Sequence, residues 1–279
     1  FMETTSNWLS DLKLRASWGI NGNDMIDNSA TYSLYYVDMN TGSYNFSGDG
    51  KTLSPGVIKT MSGNNNLKWE QTEQFNIGID AAFLDNRLGV TMDYFKKKTK
   101  DMLIQKPYIA AIGEGGYKWY NAASMDNNGV EATITWHDKI NDFNYEVAFN
   151  VSYYHNEITD LPEEVKYTWG GGDGISKTII GQSYGSWMAY KTDGIFRTKE
   201  EVYEYLSKYD VQVGEPGVGR IRYKDLNGDG KINTADRDWM GSDQPKVIAG
   251  LNLSASWKGF DLSLFFNGMI RDAWNNSKF

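Results

Sequence analysis

Residues 74–95 read QFNIGIDAAFLDNRLGVTMDYF. Before the join, Phe75, Ile77, Ile79, Ala81 and Phe83 fall on one parity, and Gln74, Asn76, Gly78 and Asp80 on the other. After Leu84–Asp85–Asn86–Arg87, Leu88, Val90, Met92 and Tyr94 alternate with Thr91, Asp93 and Phe95. A period of two is a strand, because successive side chains point to opposite faces. Two such strands joined by a few turn residues make an antiparallel hairpin.

The pattern recurs. Val130, Ala132, Ile134 and Trp136 face away from Glu131, Thr133, Thr135 and His137. A tight join at Asp138 to Asp142 leads to Tyr145, Val147, Phe149, Val151 and Tyr153, set against Asn144, Glu146, Asn150 and Ser152. Ala249, Leu251, Leu253, Ala255 and Trp257 reach Lys258–Gly259 and continue as Phe260, Leu262, Leu264 and Phe266. A lone run, Leu12, Leu14, Ala16 and Trp18, alternates with Lys13, Arg15 and Ser17. Long, polar, glycine-rich stretches separate these units. Every tight turn then lies at one end of a sheet and every large loop at the other, which is the plan of an antiparallel transmembrane β-barrel.

A soluble sheet with one wet face alternates in the same way. Three features favour the membrane. The runs of roughly 9 to 12 residues suit a tilted strand crossing a bilayer, against the usual 5 or 6 of a soluble strand. Aromatics gather at run ends: Trp136 and Trp257 by the short turns, Trp18, Trp69, Tyr153 and Tyr154 by the long loops. Such girdles sit at the headgroups. The loops also exceed the roughly 15 residues usual in a compact soluble domain.

Composition agrees. The net charge of −8 argues against nucleic acid and against a polybasic membrane-surface binder. With no cysteine, the chain has no disulfide or thiolate chemistry. No apolar run approaches the roughly 20 residues of a membrane helix. The mean hydropathy of −0.55 fits a barrel whose strands turn half their residues to a polar lumen. The start, FMETTSNWLSD, lacks the basic and apolar regions of a signal peptide. About seven spanning strands are too few, and an odd number, for a closed bacterial barrel. The whole chain, residues 1–279, therefore reads as part of one barrel domain in a longer protein.

If Leu12–Trp18 runs toward the long-loop side, the parity closes at every later strand. The loops then fall at about residues 20–68, with an extra strand at Thr31–Val37, at 109–128 and at 158–246. In outer-membrane barrels the long loops are extracellular. Within 158–246, Thr198 and Glu201 form a capping box, and Val202, Tyr205, Leu206 and Tyr209 recur at helical spacing. This predicts a short helix that packs its apolar face inside the loop region.

One motif carries specific chemistry. Asp225, Asn227 and Asp229 occupy positions 1, 3 and 5 of a calcium-type loop. Gly230 permits the sharp turn at position 6, Lys231 offers its carbonyl at 7, Asn233 stands at 9 and Asp236 at 12. Calcium wants six to eight oxygens, and this spacing wraps them about one point. Asp at position 12, in place of a longer Glu, resembles the dockerin form of the loop. The alternative is an Asx-rich turn with solvated carboxylates. Either role is structural.

No constellation supports an enzyme. Gly181-Gln-Ser183-Tyr-Gly185 spells a nucleophile elbow, but both histidines, His137 and His155, lie upstream and Ser186–Lys191 reads as strand. The glycine runs at 113–116 and 170–174 lack a strand-to-helix setting. His137 and His155 read as structural residues on the polar strand faces. Exposed loop aromatics, Trp119, Tyr120 and Trp169, are candidates for stacking on substrate or on a lid protein.

The segments LKLRASWGINGN, NNNLKWEQTEQFNIGID, DYFKKKTKDML, NNGVEATITWHDK, YKDLNGDGKIN and GSDQPKVIAGLNLSASWKGFDLSLFFNG resemble, in order and spacing, the C-terminal barrel of SusC/RagA-type TonB-linked outer membrane transporters of Bacteroidota. The resemblance spans nearly the whole chain. It implies part of a 22-stranded barrel with an N-terminal plug, a SusD-like lipoprotein lid, energy from TonB, and import of oligosaccharides or peptides. Plug, TonB box and earlier strands are not in this sequence. The competing reading is a secreted, soluble β-sandwich: a calcium-dependent adhesin or carbohydrate-binding module. Stacking of the apolar rows against a second sheet would favour it.

Overall fold

The computed structural model of the chain describes residues 8–38, 43–107 and 116–273. It forms two compact units, one from residues 1–166 and 246–270, the other from 167–245 and 271–279.

The first unit is built on long strands: β1 (Leu9–Asn23), β2 (Leu34–Asp38), β3 (Gly56–Met61), β4 (Glu70–Phe83), β5 (Leu88–Pro107), β6 (Tyr117–Ile140) and β7 (Phe143–Asp160). The second unit supplies β8 (Ser186–Tyr190), β9 (Thr192–Ile195), helix α1 (Lys199–Lys208), β10 (Asp210–Val211), β11 (Ile221–Tyr223), β12 (Lys231–Ile232) and β13 (Arg237–Ser242). The chain closes on β14 (Pro245–Trp257) and β15 (Phe260–Arg271).

The main sheet has the order β1-β4-β5-β6-β7-β14-β15, with β2 and β3 attached beside it. It is an open, up-and-down wall, and β1 and β15 are the ends of the path. The three tight turns lie where alternation places them. At residues 84–87, Leu84, Asp85 and Asn86 adopt φ of 54°, 55° and 66°. Asn141 has φ of 53° between β6 and β7. Lys258 and Gly259, at 46° and 87°, have the two positive angles of a type I′ hairpin.

Register turns alternation into rows that cross the wall. Leu12, Ala81, Val90, Ile134, Phe149 and Leu251 are successive cross-strand partners. The next row, Lys13, Asp80, Thr91, Thr133, Asn150 and Gly250, is polar or glycine throughout. On interior strands the apolar row stays open: Ile77 is 50% exposed, Met92 45% and Ile134 43%. A sandwich would bury those side chains against a second sheet. Among the described residues no second sheet covers the apolar row, so the strands do not form a sandwich.

Strand lengths correct two expectations. The long-loop side was expected to hold residues 109–128 as a loop; 109–115 lie outside the described residues, and Tyr117–Asn128 are strand. β5 and β6 stay paired from Leu88↔Trp136 to Pro107↔Tyr117, because the extra residue at Asp101 on β5, with φ of 55°, is offset by a second, opposite irregularity on β6 between the partners of Met102 and Leu103. The extra strand expected at Thr31–Val37 appears as β2, and its partner β3 was not foreseen. The large loop begins later than residue 158, because β7 runs to Asp160 and the second unit starts at Tyr167.

Candidate functional site

The second unit is organised around α1. Thr198 accepts from the Glu201 N–H as its sequence predicts, but Glu201 accepts from the Arg197 N–H, one residue before the cap, rather than from Thr198 itself. Val202 and Tyr205 point inward and form a small core with Phe196 and Ile232. Phe196 meets Tyr205 edge-on at 5.1 Å. The Tyr205 hydroxyl donates to the Tyr223 carbonyl at 2.6 Å. Burial, together with Tyr209, Asp193 and Asp236 nearby, pushes the Tyr205 phenol up to about 12.

The calcium-type loop is tied to this core. Ile232, its eighth position, is fully buried and pairs with Val211 in a parallel ladder between β10 and β12. The acidic side chains shape the loop backbone. Asp225 accepts from Gly228 N–H at 2.7 Å and Gly230 N–H at 2.9 Å. Asn227 accepts from Asp229 N–H, and Asp229 from Lys231 N–H. Gly230 has φ of 76°, the left-handed conformation expected at position 6. Asp236 is 0% exposed; its two oxygens accept from Leu226 and Asn233 N–H, both at 2.9 Å. Position 12 thus ties position 2 of the loop to position 9. Among the described residues, no three His, Cys, Asp or Glu side chains are gathered as a metal cluster.

The three candidate aromatics fall in different settings. Trp119 and Tyr120 are half-buried strand residues of β6, not exposed loop residues, and as neighbours in a strand they point to opposite faces. The Trp119 carbonyl accepts from Asn64, and the Lys106 ammonium lies 4.7 Å from the Tyr120 ring centre. Trp169, in the second unit, is half-buried on a 3-10 turn, 6.3 Å from the Tyr184 ring. Of the two histidines, His137 holds its polar-row place opposite Glu146. His155, two residues beyond Tyr153, shares the face of that tyrosine instead.

The wall carries a cluster that sequence reasoning missed. Arg15 donates to both oxygens of Asp80, at 2.8 and 2.9 Å, and to both of Asp93, at 2.8 Å each. The guanidinium fork fits two carboxylates in this bidentate way. It lies over Gly78, where a Cβ would stand 2.3 Å from Asp93 Oδ1 and 2.9 Å from the Arg15 guanidinium carbon. The readable signal is a glycine in a polar row, directly opposite an arginine.

Residues 5–269 match the family described as TonB dependent receptor-like, beta-barrel. The chain belongs to that family. It is 31% identical to TonB-dependent receptor P3 of Formosa agariphila, over 95% of this chain and 26% of that protein. It is 30% identical to TonB-dependent receptor SusC of Bacteroides thetaiotaomicron, over 97% of this chain and 26% of that one. Among solved structures, the RagAB peptide transporter contains a similar chain, with a TM-score of 0.72 and 26% identity over 95% of this chain and 27% of that chain. The chain thus spans about a quarter of these relatives. TonB-dependent receptor barrels are outer-membrane proteins, and the family is one of receptors and transporters rather than enzymes. In this setting the polar row with Arg15 faces the barrel interior, and the row with Ile134 faces lipid.

Proposed function

We propose that the chain is a wall segment of a TonB-dependent outer-membrane importer of oligosaccharides or peptides. Its long-loop end is extracellular, and a SusD-like lipoprotein covers it. The observation that carries this reading is the up-and-down wall with an open apolar row and all tight turns at one end. Similarity to a chain of a peptide transporter supports the peptide class, and similarity to a SusC receptor supports the TonB-dependent setting. Trp119, Tyr120 and Trp169 supply contacts to substrate or lid; the first two sit on β6 beyond its membrane-facing row. The test is uptake by cells carrying the full-length protein, given fluorescent peptides or oligosaccharides with and without a protonophore. Energy-dependent uptake of one class, lost on gene deletion, is expected. Uptake that ignores both deletion and protonophore would overturn the reading.

The loop of Asp225, Asn227, Asp229, Lys231, Asn233 and Asp236 is proposed to hold a structural calcium ion. Its spacing of oxygens supports this, and so does a backbone already wound by its own side chains. Each carboxylate oxygen that accepts one N–H keeps a second lone pair. Asp225→Ala with Asp229→Ala in the full-length protein is expected to abolish calcium binding by titration. It should also raise hydrogen exchange from about Ile195 to Gly241. Calcium uptake unchanged in that variant would remove the site.

A further inference from the structure

On the lipid-facing side of β5 the apolar row does not end in solvent. Met92 and Tyr94 are followed on the same parity by Lys96, Lys98 and Lys100, all exposed, while Phe95, Lys97 and Thr99 turn the other way and are more buried. Leu88 to Lys96 spans about 27 Å at 3.4 Å per residue. At the usual tilt of about 40° this rises about 21 Å, most of a barrel's apolar band of about 25 Å. Lys96 therefore stands where hydrocarbon gives way to headgroups, on the long-loop side. In register, Phe75, Lys96 and Asn128 are neighbours, and one step farther out are Glu73, Lys98 and Asp126.

Two hollows meet there. One of about 270 Å³ is walled by Phe75, Tyr94 and the side chains of Lys96 and Lys98, with the Glu73 carboxylate at its edge. An apolar one of about 360 Å³ lies below it, with Leu14, Ile77, Ile79, Met92, Tyr94 and Val130 in its lining. Tyr94 belongs to both. Glu73 is engaged by the Trp18 indole N–H at 3.0 Å. Among the described residues, neither Lys96 nor Lys98 makes an ion pair, although the chain carries a net charge of −8. Two unpaired lysines at the rim of an apolar trough, on the membrane side, suit an amphiphile with an anionic head.

We propose that this face of β4, β5 and β6 binds a phosphorylated lipid of the outer leaflet. Lys96 and Lys98 hold phosphate, and an acyl chain lies along Ile77, Met92 and Val130. Rim lysines that only extend their ammonium groups to water would need no such paired hollows. The choice of leaflet rests on the long-loop end being extracellular.

The full-length protein in detergent is titrated with diphosphorylated lipid A, with its dephosphorylated form, and with phosphatidylglycerol, and bound lipid is read by native mass spectrometry. Diphosphorylated lipid A is expected to bind most tightly. Lys96→Gln with Lys98→Gln should weaken it about tenfold or more, since each lysine near an anionic surface contributes comparably. Heat modifiability of the variant, unchanged, shows that the barrel still folds. Equal binding by wild type and variant would overturn the proposal, as would equal binding of the dephosphorylated lipid. Loss of lipid from both proteins alike on adding a chelator would assign it to metal bridges at Asp126 and overturn it too. Orientation is read separately, by an impermeant maleimide on Ile175→Cys in intact cells. Failure of that label with preference for phosphatidylglycerol would move the site to the other leaflet and sink the extracellular reading alone.

Discussion

Ile134→Arg is expected to cost the full-length protein about 1–3 kcal/mol of folding free energy in lipid vesicles, between the values for a cation at the membrane midplane and at its interface. Thr133→Arg, one residue away, should cost a small fraction of that. Ile134 lies in the row of Val90 and Phe149, one row inside the Trp136 end of the apolar band, and is 43% exposed on an interior strand. Thr133 lies in the row of Thr91 and Asn150, which faces water. A guanidinium in hydrocarbon loses its hydration without a partner, whereas one in the lumen keeps it. Urea titration of folding into vesicles measures both. Equal costs, or a larger cost at Thr133, would mean that the two faces have been assigned the wrong way round.

Phe196→Ala should have the largest effect in the second unit, about 3–5 kcal/mol for a buried aromatic truncated in place. Phe196 is 1% exposed, and the core it completes with Val202, Tyr205 and Ile232 is small. Few other contacts can absorb the cavity. Because Ile232 belongs to both this core and the calcium-type loop, the loop should loosen together with α1. Hydrogen exchange over residues 192–236 should rise, while heat modifiability of the barrel stays as it was. Protection lost equally in β5 and β6 would show instead that the two units unfold as one. The same core carries a pH dependence of known sign. The Tyr205 phenol is raised from 10.0 to about 12 by burial. Its contribution is whole below about pH 10 and is lost as pH rises toward 12, where the unfolded chain releases the proton first. Loosening of this unit on alkaline titration should precede any change in the wall.

Legibility followed the range of the interactions. The turn at Lys258–Gly259 could be read because two positive φ angles demand particular residues at particular places. The start of α1 could be read because its Thr198 cap acts within four residues. The calcium-type loop could be read as spacing, but the burial of Asp236 beneath its own backbone could not. Extension of β5 and β6 to Pro107 and Tyr117 was hidden because alternation breaks at the bulge near Asp101. Trp119 and Tyr120 were mistaken for loop residues for that reason. The Arg15 cluster was invisible for another: its partners stand 65 and 78 residues away, and only register sets them side by side.

By itself, the order of residues determined that this chain makes long antiparallel strands with one greasy face and tight turns at one end, and that it contains a wound acidic loop. Those features come from period, turn chemistry and spacing, which act over a few neighbours. Tertiary structure alone decided which charges meet across Gly78, how far the strands run past the membrane, and that two lysines stand over an apolar hollow. Each of those depends on which strands lie side by side and in what register, and pairing between distant segments is fixed only when the whole wall assembles.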